Sequence, residues 1–172
     1  MTVIALVGLP GCGKSNLARA LAKDLGWKLV DLDDLIESEA GRTISKLFEK
    51  GEDHFRDWEH RCLQLAAQGE EVVIATGGGV VERAENRALL KRFTTVFVDV
   101  SVEEAQRRTS KFNHRPLLAG NPQALVEMER RRRPLYEDVS QLQVSVDDSS
   151  KATNYERLRR VLVDGGVIEV GE

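Results

Sequence analysis

The chain has 172 residues, 41% of them hydrophobic and 31% charged, with a formal net charge of -3 at pH 7. That length suits a single domain with its own core. The mix of apolar and charged residues is that of a folded chain rather than a disordered one, and the slight excess of acid argues against a whole-protein attraction to nucleic acid or anionic lipid.

No apolar run approaches the roughly 18 residues of a membrane span, and the N-terminal residues do not read as a signal peptide. Cys12 and Cys62 are too few for a disulfide framework, and neither sits in a metal-binding pattern, so a reducing cytoplasm is the expected setting. His54 and His60 are expected to decorate a solvated helix face. In chain order, Val3-Ile4-Ala5-Leu6-Val7 is a short apolar run of buried-strand type. Gly8-Leu9-Pro10-Gly11-Cys12-Gly13-Lys14-Ser15 then fills the pattern G-x-x-x-x-G-K-[ST] at each fixed position. Glycines at these places let successive backbone N–H groups turn inward around phosphate oxygens, and the helix that follows, periodic over 16–22, adds the positive end of its dipole. Lys14 is placed to reach the terminal phosphates and the Ser15 hydroxyl to ligate Mg²⁺. A nucleotide is therefore the expected ligand, with Gly11, Cys12, Gly13, Lys14, Ser15 and Asn16 around its phosphates.

Gly26 ends the first helix, and Trp27-Lys28-Leu29-Val30-Asp31 predicts a second strand. Residues 33–68 predict helix in several pieces, broken at Gly41 and Gly51, with Thr43 capping 44–50. Val72-Val73-Ile74-Ala75-Thr76 predicts a third strand running into Gly77-Gly78-Gly79. A helix near 82–92 and a strand over 95–99 follow. Ser101-Val102-Glu103-Glu104 reads as a capping box that opens a helix ending near Arg108. The stretch from Thr109 to Gly120 has no clear period. Asn121 and Pro122 predict the start of a helix reaching about Arg133, Leu142, Val144 and Val146 alternate as a last strand, and a final helix covers 154–162. Strands alternating with helices predict an α/β fold with a parallel sheet covered on both faces.

The P-loop alone does not separate kinases, GTPases and motor ATPases, but the chain is too short for a motor and lacks the Asn-Lys-x-Asp segment with which GTPases read guanine. Further motifs narrow the choice. Asp31-Leu32-Asp33 follows the second strand, Phe55-Arg56-Asp57-Trp58-Glu59 lies in the helical region, Gly77-Gly78-Gly79 follows the third strand, and Arg115-Pro116-Leu117-Leu118 and Arg132-Arg133-Pro134-Leu135-Tyr136 come later. With the P-loop, these six motifs in order resemble the shikimate kinase family over nearly the whole chain. Leu32 and Asn16 depart from the family pattern, in which a small hydroxyl residue and Thr are common at those places.

The resemblance implies a three-layer P-loop kinase fold like that of the nucleoside monophosphate kinases. It would have a five-stranded parallel sheet, a substrate-binding helical segment over 33–62 and a lid over 109–121, all in one domain of residues 1–172. It implies transfer of the γ-phosphate of ATP to the 3-hydroxyl of shikimate, on the route to chorismate and the aromatic amino acids. Arg56 and Arg132 match the family's carboxylate-binding arginines, a role that suits guanidinium forks. Gly78 matches a backbone contact to the substrate, and Asp33 the residue that holds the reacting hydroxyl and accepts its proton. Asp31, with Ser15, is the implied Mg²⁺ ligand, whereas Asp99 imitates a Walker-B aspartate. Arg108 matches the adenine-stacking arginine, and Lys14 and the lid residue Arg115 would offset charge on the moving phosphate. Glu59 is read as the orienter of Arg56, and Arg130, Arg131 and Arg133 as a solvated helix end. No nucleic acid or membrane partner is expected, and the protein is expected to act as a cytoplasmic monomer.

Overall fold

Five strands, β1 (Val3–Val7), β2 (Lys28–Asp31), β3 (Val72–Ala75), β4 (Thr94–Asp99) and β5 (Leu142–Ser145), form one sheet in the order β2-β3-β1-β4-β5. This is seen in a computed structural model that describes residues 2–110 and 123–171. Every pairing is parallel, with Ala5 opposite Ile74 and Thr95, and Val98 opposite Val144. β1 is central and all five of its residues are buried, as its unbroken apolar run requires of a strand covered on both faces. Because the strands run the same way, the segments leaving β1, β2, β3 and β4 emerge at one edge of the sheet, where α/β proteins bind ligands.

The helices are α1 (Lys14–Leu25), α2 (Leu32–Ala40), α3 (Ile44–Glu49), α4 (Glu52–Ala66), α5 (Ala84–Leu90), α6 (Val102–Thr109), α7 (Gln123–Val139) and α8 (Lys151–Asp164). Capping fixes several of their starts. Asp31 accepts from the amides of Asp33 and Asp34 at the head of α2, Thr43 from Lys46 at α3, and Ser150 from Thr153 at α8. The core is one continuous cluster that runs from β1, β3 and β4 into Leu21, Ile36, Leu63, Leu90 and Leu158.

Several boundaries differ from the sequence reading. The helix expected near 82–92 is a 3-10 turn (Val80–Glu82) followed by the shorter α5. At α6 the Ser101 hydroxyl accepts from the Glu104 amide, as a capping box requires, but the Glu104 carboxylate is taken up by Arg107 and Arg108. α8 begins at Lys151 because Ser150 supplies a cap the reading had passed over. The largest difference is α7, which runs six residues past Arg133 with Pro134 inside it. A proline removes one intrahelical hydrogen bond, yet the buried face continues through Arg132, Tyr136 and Val139 and keeps the helix against the sheet. The expected cap at Asn121 and Pro122, and most of the expected lid, lie outside the described residues.

Candidate active site

After β1 the chain turns through the glycine-rich loop, and Gly13, at φ 89°, serves as the N-cap of α1. That left-handed conformation suits a residue without Cβ. Lys14 is 6% exposed, and its ammonium donates to the Leu9 carbonyl at 3.2 Å and lies 3.9 Å from Cys12 Sγ. The loop borders a cavity of about 740 Å³ lined by Gly11, Gly13, Lys14, Ser15, Asn16 and Arg108, among others. Arg108 spans its mouth: Nη1 donates to the Gly11 carbonyl at 3.3 Å, Nη2 to the Asp147 carbonyl at 2.6 Å, and Nε to Glu104 at 2.8 Å. The neighbouring Arg107 also borders this cavity and pairs with Glu104. Hydrogen bonds from Arg107, and then from Arg108, outweigh burial and hold the Glu104 carboxyl well below its usual range.

A second cavity of about 530 Å³ adjoins the first, and Ser15 lines both. Asp33, Arg56, Glu59, Gly78 and Arg132 border it, with Phe48 and Phe55 stacked at 4.5 Å as part of its wall. Arg56 is 4% exposed, and α4 sets it between two carboxylates of its own helix. Nη1 donates to Glu59 at 2.9 Å and Nη2 to Glu52 at 3.1 Å. Gly79 makes room for this guanidinium, since a Cβ there would collide with Arg56. Arg132, 1% exposed on α7, donates from Nε to Glu82 at 2.6 Å. Arg56 Nε and Arg132 Nη2 are buried without a hydrogen-bond partner among the described residues. A cavity wall holding two buried guanidinium groups with spare donors is suited to a carboxylate.

Burial works against the Arg56 charge, but two carboxylates overcome it and raise its pKa. Glu59 has only the reverse balance. Fully enclosed, with Oε2 unpaired among the described residues and Asp33 nearby, its carboxyl is pushed up to about 7, burial outweighing the pull of Arg56.

Ser15 donates to Asp31 Oδ2 at 3.3 Å, while Asp31 Oδ1 caps α2. A hydroxyl and a carboxylate oxygen so placed beside the phosphate loop are hard oxygen donors of the kind Mg²⁺ takes, usually with water completing its shell. Asp99, at the matching end of β4, is already committed, receiving Arg133 at 2.6 Å and 3.2 Å and Gln143 at 3.0 Å.

The structure therefore gathers Lys14, Ser15, Asp31, Asp33, Arg56, Gly78, Arg108 and Arg132 around two adjoining cavities; Arg115 lies outside the described residues. Two arginines read as a solvated helix end are engaged. Arg133 pairs with Asp99 and Glu129 and lies over the Phe97 ring, and Arg131 pairs with Glu82. Glu129 is one helical turn before Arg133, but Asp99 stands on β4 and Glu82 in the 3-10 turn, far away in sequence, so no local spacing pointed to those two. His60, expected on a solvated face, lies 2.6 Å from the side chain of buried Asn86. Sequence reasoning assigned no role to Glu82, and named Tyr136 only as the last residue of its motif. The Tyr136 hydroxyl donates to the Gly78 carbonyl at 2.6 Å and so ties α7 to the triple glycine.

Known proteins resemble this chain in sequence and in fold. The family model described as shikimate kinase matches residues 10–163. The chain is 40% identical to a shikimate kinase of Rhodococcus jostii, over 89% of this chain and 93% of that protein. It is 42% identical to one of Bordetella pertussis, over 87% and 73% respectively. Among solved structures, shikimate kinase from Acinetobacter baumannii in complex with shikimate superposes with a TM-score of 0.92 at 32% identity, covering 98% of this chain and 96% of the other. The enzyme from Aquifex aeolicus gives 0.84 at 28% identity, covering 96% and 99%.

Proposed function

This chain belongs to the shikimate kinase family, and we propose from that footing how its own residues move the γ-phosphate of ATP to the 3-hydroxyl of shikimate. The observation that carries the assignment is the meeting of two cavities at Ser15, one walled by the phosphate loop and the other by two buried arginines.

ATP lies in the first cavity with its phosphates against the amides of residues 11–16, and Arg108 at the adenine end. Shikimate lies in the second, its carboxylate between Arg56 and Arg132 and its reacting hydroxyl toward Asp33. As the 3-oxygen bonds to the γ-phosphorus, the bond from that phosphorus to the β,γ-bridging oxygen breaks and ADP leaves. Asp33 takes the hydroxyl proton. Lys14 holds positive charge beside the transferring group, which needs positioning and neutralisation more than covalent help. Ser15 and Asp31 would hold Mg²⁺, which when bound neutralises charge on the phosphate oxygens. Arg115 would add positive charge, a role that rests on its motif alone. The protein is read as a monomer acting as one domain. We place it in the cytoplasm, and no helix among the described residues is long and apolar enough to cross a membrane.

Replacing Arg56 or Arg132 by Ala is the direct test. Each change should cost about 1.5–3 kcal/mol, the scale of a hydrogen bond to a charged group. That corresponds to a loss of roughly tenfold to hundredfold in kcat/KM for shikimate, with KM for ATP little changed. An unaltered kcat/KM in Arg56→Ala would remove the carboxylate assignment.

A further inference from the structure

We propose that Glu82 is a positioning residue for acceptor binding: it holds the Arg132 guanidinium so that the outer edge of that group faces the carboxylate of the acceptor. The inference rests on the assignment of Arg132 made above. Glu82 closes the 3-10 turn that leaves the triple glycine, with its amide bonded to the Gly79 carbonyl at 3.0 Å. Its Oε1 accepts Arg132 Nε at 2.6 Å. The same oxygen accepts Arg131 at 2.8 Å and 3.2 Å.

A guanidinium has five N–H donors in a rigid plane. With the Nε side engaged by Glu82, the edge formed by Nη1 and Nη2 is what remains. Nη1 contacts the Met128 thioether at 3.6 Å, the guanidinium also lies close to the Tyr136 hydroxyl, and Nη2 has no hydrogen-bond partner among the described residues. That edge can receive a carboxylate through two parallel hydrogen bonds.

The brace also answers an electrostatic need. Arg132 is 1% exposed, and a buried charge is costly without a counter-ion. Burial alone would raise the Glu82 carboxyl, but hydrogen bonds from Arg132 and Arg131 bring it below its usual range, so it is an anion at neutral pH. Four residues along the same face of α7, Tyr136 donates to Gly78. Arg132 and Tyr136 thus latch α7 to the glycine segment at two points, and the clamp is set before the acceptor arrives. Pre-setting of this kind favours binding because less freedom is lost on association.

The test is steady-state kinetics, with melting curves, for Glu82→Ala, Glu82→Gln, Arg131→Ala and Arg132→Ala. Glu82→Ala should raise KM for shikimate about tenfold, with kcat within about twofold and KM for ATP unchanged. Glu82→Gln should fall between Glu82→Ala and the parent, because its amide oxygen still accepts the Nε proton. Arg131→Ala, which removes only the exposed partner, should keep KM for shikimate within about twofold. If Arg132→Ala raises KM and Glu82→Ala does not, the positioning role is wrong and the carboxylate assignment stands. If Arg132→Ala also leaves KM unchanged, the assignment itself fails. Arg131→Ala or Glu82→Gln matching the full effect of Glu82→Ala would overturn the proposal as well. Should Glu82→Ala not fold, Glu82→Gln decides: a rise of about threefold in KM for shikimate alone supports the role, and no rise overturns it.

Discussion

Glu59 is the most constrained charge in the site. It is fully buried, accepts from Arg56 at 2.9 Å through one oxygen, and is unpaired at the other among the described residues. With its carboxyl pushed up to about 7 from an ordinary 4.5, the folded chain holds that proton more tightly than the unfolded chain. The stabilisation it contributes is therefore complete below 4.5 and is lost as pH rises through about 7. Glu59→Gln keeps an oxygen for Arg56 but cannot titrate. The Tm of the variant minus that of the parent should rise between about pH 5 and about pH 8 and then level off. A difference that stays constant with pH would show that Glu59 is ionised throughout. Residues of this kind differ in how far they can be read from sequence. Lys14 and Ser15 stand in one contiguous motif whose geometry is local, and Arg56 meets Glu59 one helical turn away. Arg132 was legible only through its motif. Glu82 was not legible at all, because its partner lies 50 residues further on and a single Glu after three glycines has no spacing signature.

At the level of elements, the ends of β2 and β4 each present an aspartate beside the phosphate loop, and the neighbouring helices decide between them. α2 is capped by Asp31 through Oδ1, which leaves Oδ2 toward Ser15. α7 sends Arg133 onto Asp99. Asp31→Asn should therefore shift the Mg²⁺ dependence of activity to higher concentration. Asp99→Asn should leave that curve in place and lower Tm, because Arg133 loses one of its carboxylate partners, Glu129 and Glu137 remaining. The reverse pattern in a Mg²⁺ titration would transfer the metal to β4. Strands were legible because they are short apolar runs such as Val3–Val7, all of it buried and ended by Gly8. The true length of α7 was not, because Pro134 is a local stop signal that tertiary burial of Tyr136 and Val139 overrides.

Across the whole molecule, a chain of net charge -3 concentrates Lys14, Arg56 and Arg132 beside one edge of its sheet, each nearly buried. Desolvated and partnered, these cations act on bound anions at short range, which makes them instruments of recognition rather than of long-range attraction. The sheet order places β1 between β3 and β4, so the phosphate loop and the triple glycine leave adjacent strands and their cavities share Ser15. That arrangement joins a phosphate donor to a carboxylate-bearing alcohol. A sugar-acid kinase of the same fold would keep the first cavity but would have no need of Asp33, Arg56 and Arg132 together. The decisive measurement is ADP release in a coupled assay with Mg²⁺ and ATP, run with shikimate, with gluconate and with no acceptor. Shikimate as acceptor requires ADP release that depends on shikimate and saturates with it, while gluconate gives no more than the acceptor-free background. Release that is independent of shikimate, or equal with gluconate, would contradict it.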